Sequence, residues 1–139
     1  AGIDIGIPEH NYCSTAHIRH VMQEVAPDKL VLAHMGGWQG WRDVANNLAG
    51  LPLYYDTAFS MGDILPAPGT TRTEEESHNM NKQQFTFLAH TLGTDKLLFA
   101  TDCPWSSQSE SLQFLRDCEF TQQELADILG NNAQKLLKI

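Results

Sequence analysis

Apolar residues along this chain follow two patterns, one spaced for helices and one gathered into short continuous runs. Ile18, Val21, Met22 and Val25 recur at helical spacing and predict a helix over 14–26, with Ser14 or Thr15 placed to cap its start and Pro27 ending it. Residues 29–33 read Lys-Leu-Val-Leu-Ala, a run too short for a helix and suited to a strand buried on both faces. It ends at His34. After Gly36-Gly37, the positions Trp38, Trp41, Val44, Ala45 and Leu48 predict an amphipathic helix over 38–48, closed by Gly50 and Pro52. Residues 53–58 include Tyr54, Tyr55 and Thr57, types favoured in strands.

A polar stretch then runs from Phe59 to Met80. Connections of that length serve as active-site lids, binding loops or disordered segments, and Thr73 with Glu76 offers a capping box inside it. Phe85, Leu88, Ala89 and Leu92 predict a helix over 84–92 stopped by Gly93, and residues 96–100, Lys-Leu-Leu-Phe-Ala, form a second buried-strand run. That run leads into Thr101-Asp102-Cys103-Pro104-Trp105. Helices follow over 109–118, over 121–129 with the capping box Thr121/Glu124, and over 132–137. With the strand-like remnant at 1–6, strands and helices alternate, which implies an α/β fold with right-handed crossovers and a parallel sheet. An open doubly wound sheet and part of a (β/α)8 barrel both satisfy this order, and in both the ligands meet the carboxyl ends of the strands. That rule singles out Asp4, His34, Asp56 and Asp102.

Composition narrows the classes. The chain has 139 residues, is 42% hydrophobic and 19% charged, and carries a formal net charge of −8, which suits a packed globular domain and argues against nucleic acid as a partner. No apolar run approaches the roughly 20 residues of a membrane-spanning helix. Cys13, Cys103 and Cys118 are odd in number, widely spaced and free of any Cys-x-x-Cys pair, as expected in a reducing, cytoplasmic compartment; Cys13 and Cys118 read as small buried or half-buried side chains. Ala1-Gly2-Ile3-Asp4-Ile5-Gly6 opens without a start methionine or signal pattern and reads as mid-element, so the chain is expected to be a piece of a longer protein.

His34 is the best acid/base candidate: it ends an apolar strand, and the glycine pair after it is expected to let the backbone approach a ligand and leave the imidazole unobstructed. Asp102 ends the other apolar run, with Pro104 restricting Cys103 before it. A carboxylate at the edge of an apolar core needs a cation, an arginine or backbone amides. Histidine and aspartate from different strands suit a Zn²⁺ site, though about three protein ligands are needed and there is no His-x-His pair. His17 and His20 read as a solvated helix face, and His78 and His90 as surface residues. His10, after the first strand remnant, lies within reach of a pocket mouth, where Phe59 and Trp105 are candidate walls. Phosphate-binding glycine loops and the Gly-x-Ser-x-Gly elbow are absent.

His34-Met35-Gly36-Gly37, Phe99-Ala100-Thr101-Asp102-Cys103-Pro104-Trp105 and the terminal Leu129-Gly130-Asn131-Asn132-Ala133 resemble motifs of the amidohydrolase-related family. These are metal-dependent (β/α)8-barrel hydrolases and decarboxylases of the aminocarboxymuconate semialdehyde decarboxylase kind. The resemblance covers the carboxyl-terminal half of the family domain, so that residues 1–139 would form about strands 5, truncated, to 8. It implies a divalent metal, usually zinc, held by Asp102 and by ligands that this chain lacks, with His34 as acid/base or metal ligand. It also implies a small-molecule substrate, hydrolysis of an amide, lactone or ester with non-oxidative decarboxylation as the alternative, and a partner: the missing amino-terminal half-barrel or a second copy.

Overall fold

The computed structural model describes residues 13–64, 69 and 79–139. Three parallel strands, β1 (Val31–Leu32), β2 (Tyr54–Asp56) and β3 (Leu97–Leu98), lie side by side in chain order. Leu32 pairs with Tyr55, and Tyr55 with Leu97, so the three carboxyl ends share one edge. Around them are α1 (Thr15–Glu24), α2 (Trp41–Leu48), α3 (Lys82–Leu92), α4 (Gln108–Arg116), α5 (Gln122–Ala126) and α6 (Asn132–Leu137). The alternation read from the apolar pattern is therefore present as a mixed helix/strand fold with a parallel sheet. The strand remnant at 1–6 and the Thr73/Glu76 box lie outside the described residues.

Local chemistry sets the helix starts. The Ser14 side chain accepts from the His17 amide at the head of α1, and Thr121 with Glu124 forms the expected reciprocal box at the head of α5. An equivalent box, Asn81 with Gln84, starts α3 two residues ahead of the apolar pattern. Over 38–40 the expected helix is absent. His34 (φ 58), Met35 (φ 53) and Gly36 (φ 91) are left-handed in succession, and regular helix begins only at Trp41. Trp38 instead packs with Phe59 and Ile64 in a small separate cluster.

The sheet is covered unevenly. Leu32, Tyr55 and Leu97 are fully buried on the face shared with Ile18, Val44, Leu48, Phe85 and Leu88. Strand periodicity sends Val31, Tyr54, Asp56 and Leu98 to the opposite face, where none is fully buried and Val31 is 43% exposed. Burial of Val31 on both faces, expected from its apolar run, is thus corrected: among the described residues, helices cover one face. Cys13 is exposed rather than half-buried, whereas Cys118 is buried and burial pushes its thiol up. Among the described residues no helix is long and apolar enough to cross a membrane.

The outer edge of β3 is stitched to the terminal helices. A π-helical turn at Asp127–Asn131 sends the Asn132 amide to the Asp127 carbonyl, leaving the Ile128 carbonyl to accept from Phe99 N at 3.1 Å. Buried Asn132 donates its side-chain amide to Thr94 O at 2.8 Å and Leu97 O at 2.9 Å.

Candidate active site at the carboxyl edge of the sheet

His34 stands where β1 gives way to a reversal of the chain. Three contacts hold this left-handed corner. Asp56 Oδ1, from the end of β2, accepts the His34 amide at 2.9 Å. The Gly36 amide returns to Ala33 O at 3.0 Å, and Trp41 Nε1 donates to His34 O at 3.1 Å. The glycine after Met35 packs on the core: a Cβ on Gly36 would sit 2.8 Å from Val44 Cγ1, and both Gly36 and Gly37 are buried. At Gly36 the glycine thus allows close packing at positive φ.

The imidazole itself is half-buried and oriented. Nδ1 lies 3.2 Å from Ala58 O, and since a carbonyl oxygen only accepts, Nδ1 carries the proton. In the neutral ring Nε2 therefore presents its lone pair, and it has no hydrogen-bond partner among the described residues. Phe59, 6% exposed, meets the ring edge-to-face at a centroid distance of 5.2 Å, so the structure joins these two predicted residues directly. Ala58 O also accepts from Ser60 Oγ at 3.0 Å, and the Ala58 amide returns to Asp56 Oδ1 at 3.1 Å.

Asp102 lies beyond β3, past Ala100, whose amide and carbonyl both meet Thr57 Oγ1 at 3.0 and 2.9 Å. Its backbone is left-handed (φ 55), its carbonyl accepts from Trp105 N at 3.0 Å, and a cis peptide joins Cys103 to Pro104. The carboxylate is exposed and has no partner among the described residues. Trp105, 38% exposed, follows in the same turn. His34 lies two residues past β1 and Asp102 four residues past β3, so both follow the carboxyl ends of strands at one sheet edge, with β2 between those strands. His10 and His78 lie outside the described residues. His17 and His20 are exposed on α1, and His90 pairs with Glu124 at 3.0 Å.

Among the described residues no three His, Cys, Asp or Glu side chains gather into a group able to hold a metal. The carboxylate of Asp102 and the imidazole of His34 are the right kinds of donor for a divalent metal but fewer than the roughly three that a catalytic zinc uses. Sequence reasoning placed Asp56 at a strand end without giving it a role. Its partner stands 22 residues earlier in the chain and is found only through the pairing of β1 with β2.

A family model described as amidohydrolase matches residues 3–139. Solved structures of similar fold include an amidohydrolase 2 from Bifidobacterium longum subsp. infantis, 20% identical over 90% of this chain and 46% of that one, with a TM-score of 0.58. A dihydroxybenzoic acid decarboxylase from Polaromonas sp. JS666, solved with manganese and the inhibitor 2-nitroresorcinol, is 19% identical over 79% and 33%, with a TM-score of 0.52. A 2,6-dihydroxybenzoate decarboxylase from Rhizobium is 17% identical over 79% and 34%, with a TM-score of 0.52. No protein of curated function matches the sequence. The chain spans between a third and just under half the length of these structures.

Proposed function

This chain belongs to the amidohydrolase family, and from that membership we propose that it is the carboxyl-terminal half of a metal-dependent (β/α)8 barrel that hydrolyses an amide, lactone or ester. The observation that supports the reading is the placement, beyond the carboxyl ends of β1 and β3 at one sheet edge, of an oriented imidazole and an exposed carboxylate. Asp102 would hold the metal together with ligands from outside the described residues. Such a metal supplies Lewis acidity toward a carbonyl or carboxylate oxygen and acidifies water. Zinc is the first candidate, and manganese, present in the Polaromonas decarboxylase, is the second.

His34 is the proton carrier. With Nδ1–H committed to Ala58 O, Nε2 accepts a proton from attacking water and returns it to the leaving group. The same ring, once protonated, serves the second reading, non-oxidative decarboxylation of an unsaturated or aromatic acid, by donating from Nε2 to the carbon that loses carbon dioxide. The decarboxylases among the similar structures support that alternative. Phe59 packs against the ring edge-to-face, and Trp105, in the turn after Asp102, would help wall the substrate site. The half-covered sheet face is the surface on which the rest of the barrel, or a second copy, would close. The free, exposed Cys13 and Cys103 fit a reducing, cytoplasmic setting.

The test uses the full protein carrying this chain, with metal analysis and a panel of lactones, cyclic amides, esters and hydroxybenzoic acids. Turnover is expected to stop on chelation and to return with added zinc or manganese. Asp102→Asn should lose both metal and activity. His34→Gln should keep the metal and lose about 10²–10⁴-fold in kcat, the usual contribution of a positioned acid/base. Full activity without a divalent metal, or an Asp102→Asn variant that turns over normally, refutes the reading.

A further inference from the structure

We propose that Asp56 is a positioning residue that sets the direction of the His34 imidazole through the backbone. One carboxylate oxygen, Oδ1, accepts the amide of His34 at 2.9 Å and the amide of Ala58 at 3.1 Å. Ala58 is also the residue whose carbonyl receives the His34 ring proton. The three hydrogen bonds close a ring: carboxylate to the start of the histidine, histidine side chain to Ala58 O, Ala58 N back to the carboxylate. A single side chain on β2 therefore holds both ends of the imidazole's own hydrogen bond.

Two features require such a clamp. His34 and Met35 are non-glycine residues in left-handed conformation, each costing of order 1 kcal/mol, and that cost persists only where neighbouring contacts over-determine the backbone. Ala58 stands two residues past the end of β2, one beyond Thr57, whose amide still reaches Leu98 O; the Ala58 amide finds its acceptor in Asp56. Without the carboxylate oxygen the corner is free to relax, Ala58 O moves away from Nδ1, and Nε2 no longer keeps a fixed bearing or a fixed tautomer. Asn retains an oxygen in the same place and preserves the clamp; Ala does not. This inference rests on His34 as the proton carrier for its effect on turnover, but its geometry stands without that assignment.

The experiment compares Asp56→Asn and Asp56→Ala in the full protein labelled with [¹⁵N]histidine, at fixed pH above the imidazole range. The unaltered protein and Asp56→Asn should show a His34 Nδ1–H resonance, and Asp56→Ala should lose it. With whichever panel substrate is turned over, Asp56→Ala should lower kcat ~10–100-fold, the scale of a misplaced catalytic group, with KM changed less than about threefold. Asp56→Asn should stay within about threefold in both. Retention of the Nδ1–H signal in Asp56→Ala, or equal damage from Asn and Ala, overturns the proposal. If no panel substrate is turned over, the functional reading fails while the resonance still decides the role of Asp56. If Asp56→Ala does not fold, amide exchange in the unaltered protein decides: slow exchange at His34 and Ala58 supports the clamp, and exchange as fast as in free peptide overturns it.

Discussion

Asn132→Ala should destabilise the fold far more than a single polar truncation on the surface. The side chain is 2% exposed, and its amide donates to Thr94 O at 2.8 Å and to Leu97 O at 2.9 Å. Thr94 O keeps a second donor in the Leu97 amide, so its loss is partial. Leu97 O is different. The Thr57 amide donates to Leu98 O, which directs Leu98 toward β2 and turns the Leu97 carbonyl to the outer side, where Asn132 is the donor. Two net hydrogen bonds at ~1 kcal/mol each and ~1–3 kcal/mol for a buried carbonyl without a partner, less ~1 kcal/mol recovered because the Asn132 Oδ1 is itself buried without a partner among the described residues, give about 2–4 kcal/mol. That is a large share of the ~5–15 kcal/mol that holds a domain folded. At about 3 °C per kcal/mol for a chain of this size, Tm should fall by roughly 6–12 °C. Asn132→Asp should be worse than Ala near neutrality, since it sets a carboxylate against two carbonyl oxygens. Urea and thermal unfolding of both variants provide the assay; a Tm shift below about 2 °C, or Asp milder than Ala, refutes the reasoning.

Gly36→Ala should cost about 2–4 kcal/mol in urea unfolding, because its φ of 91° disfavours a side chain and the added methyl meets Val44 Cγ1 at 2.8 Å; a change under ~0.5 kcal/mol counts against that packing. Burial pushes the Tyr55 phenol up to about 12. A raised folded value means its contribution is complete below the unfolded pKa of ~10 and is lost as pH rises from there toward 12, so Tyr55→Phe should flatten the fall in stability across that window, and an unchanged slope contradicts it. Expressed alone, the 139-residue chain should self-associate in analytical ultracentrifugation, and a sharp, stable monomer would contradict the half-barrel reading.

Much of the architecture is written locally. The 3.6-residue spacing in 14–26 and 84–92 and the short apolar runs around Leu32 and Leu97 each follow from neighbours within a few positions, and so does the Thr121/Glu124 box. The Asn81/Gln84 box is just as local; it lies one turn ahead of the first apolar residue and is found by looking for the cap before the stripe. The corner at 34–40 is not local. Trp38 looks like the first turn of a helix, yet regular helix begins only at Trp41, after a left-handed corner at 34–36 that meets Asp56, Val44 and Trp41, contacts that exist only once β1, β2 and α2 are assembled. Site residues divide the same way. His34 and Asp102 are visible as polar residues ending apolar strands, whereas the proton on Nδ1 and the role of Asp56 depend on pairing across the sheet.

Two shortfalls in the described chain point to one remedy. The carboxyl edge offers an imidazole and a carboxylate where a catalytic metal uses about three protein ligands. The sheet buries Leu32, Tyr55 and Leu97 under helices and leaves the face of Val31 and Leu98 incompletely covered. In a closed barrel these deficits are coupled, because the strands that would cover the open face end at the same edge as Asp102 and carry the remaining ligands there. On the half-barrel reading, metal affinity and a single defined oligomeric species should therefore appear together when the chain is joined to a complementary amino-terminal half-barrel. The coupling is sharper than either deficit alone: a polypeptide that made the chain monodisperse without conferring stoichiometric metal binding would separate the packing problem from the chemical one, and the half-barrel explanation would no longer account for both.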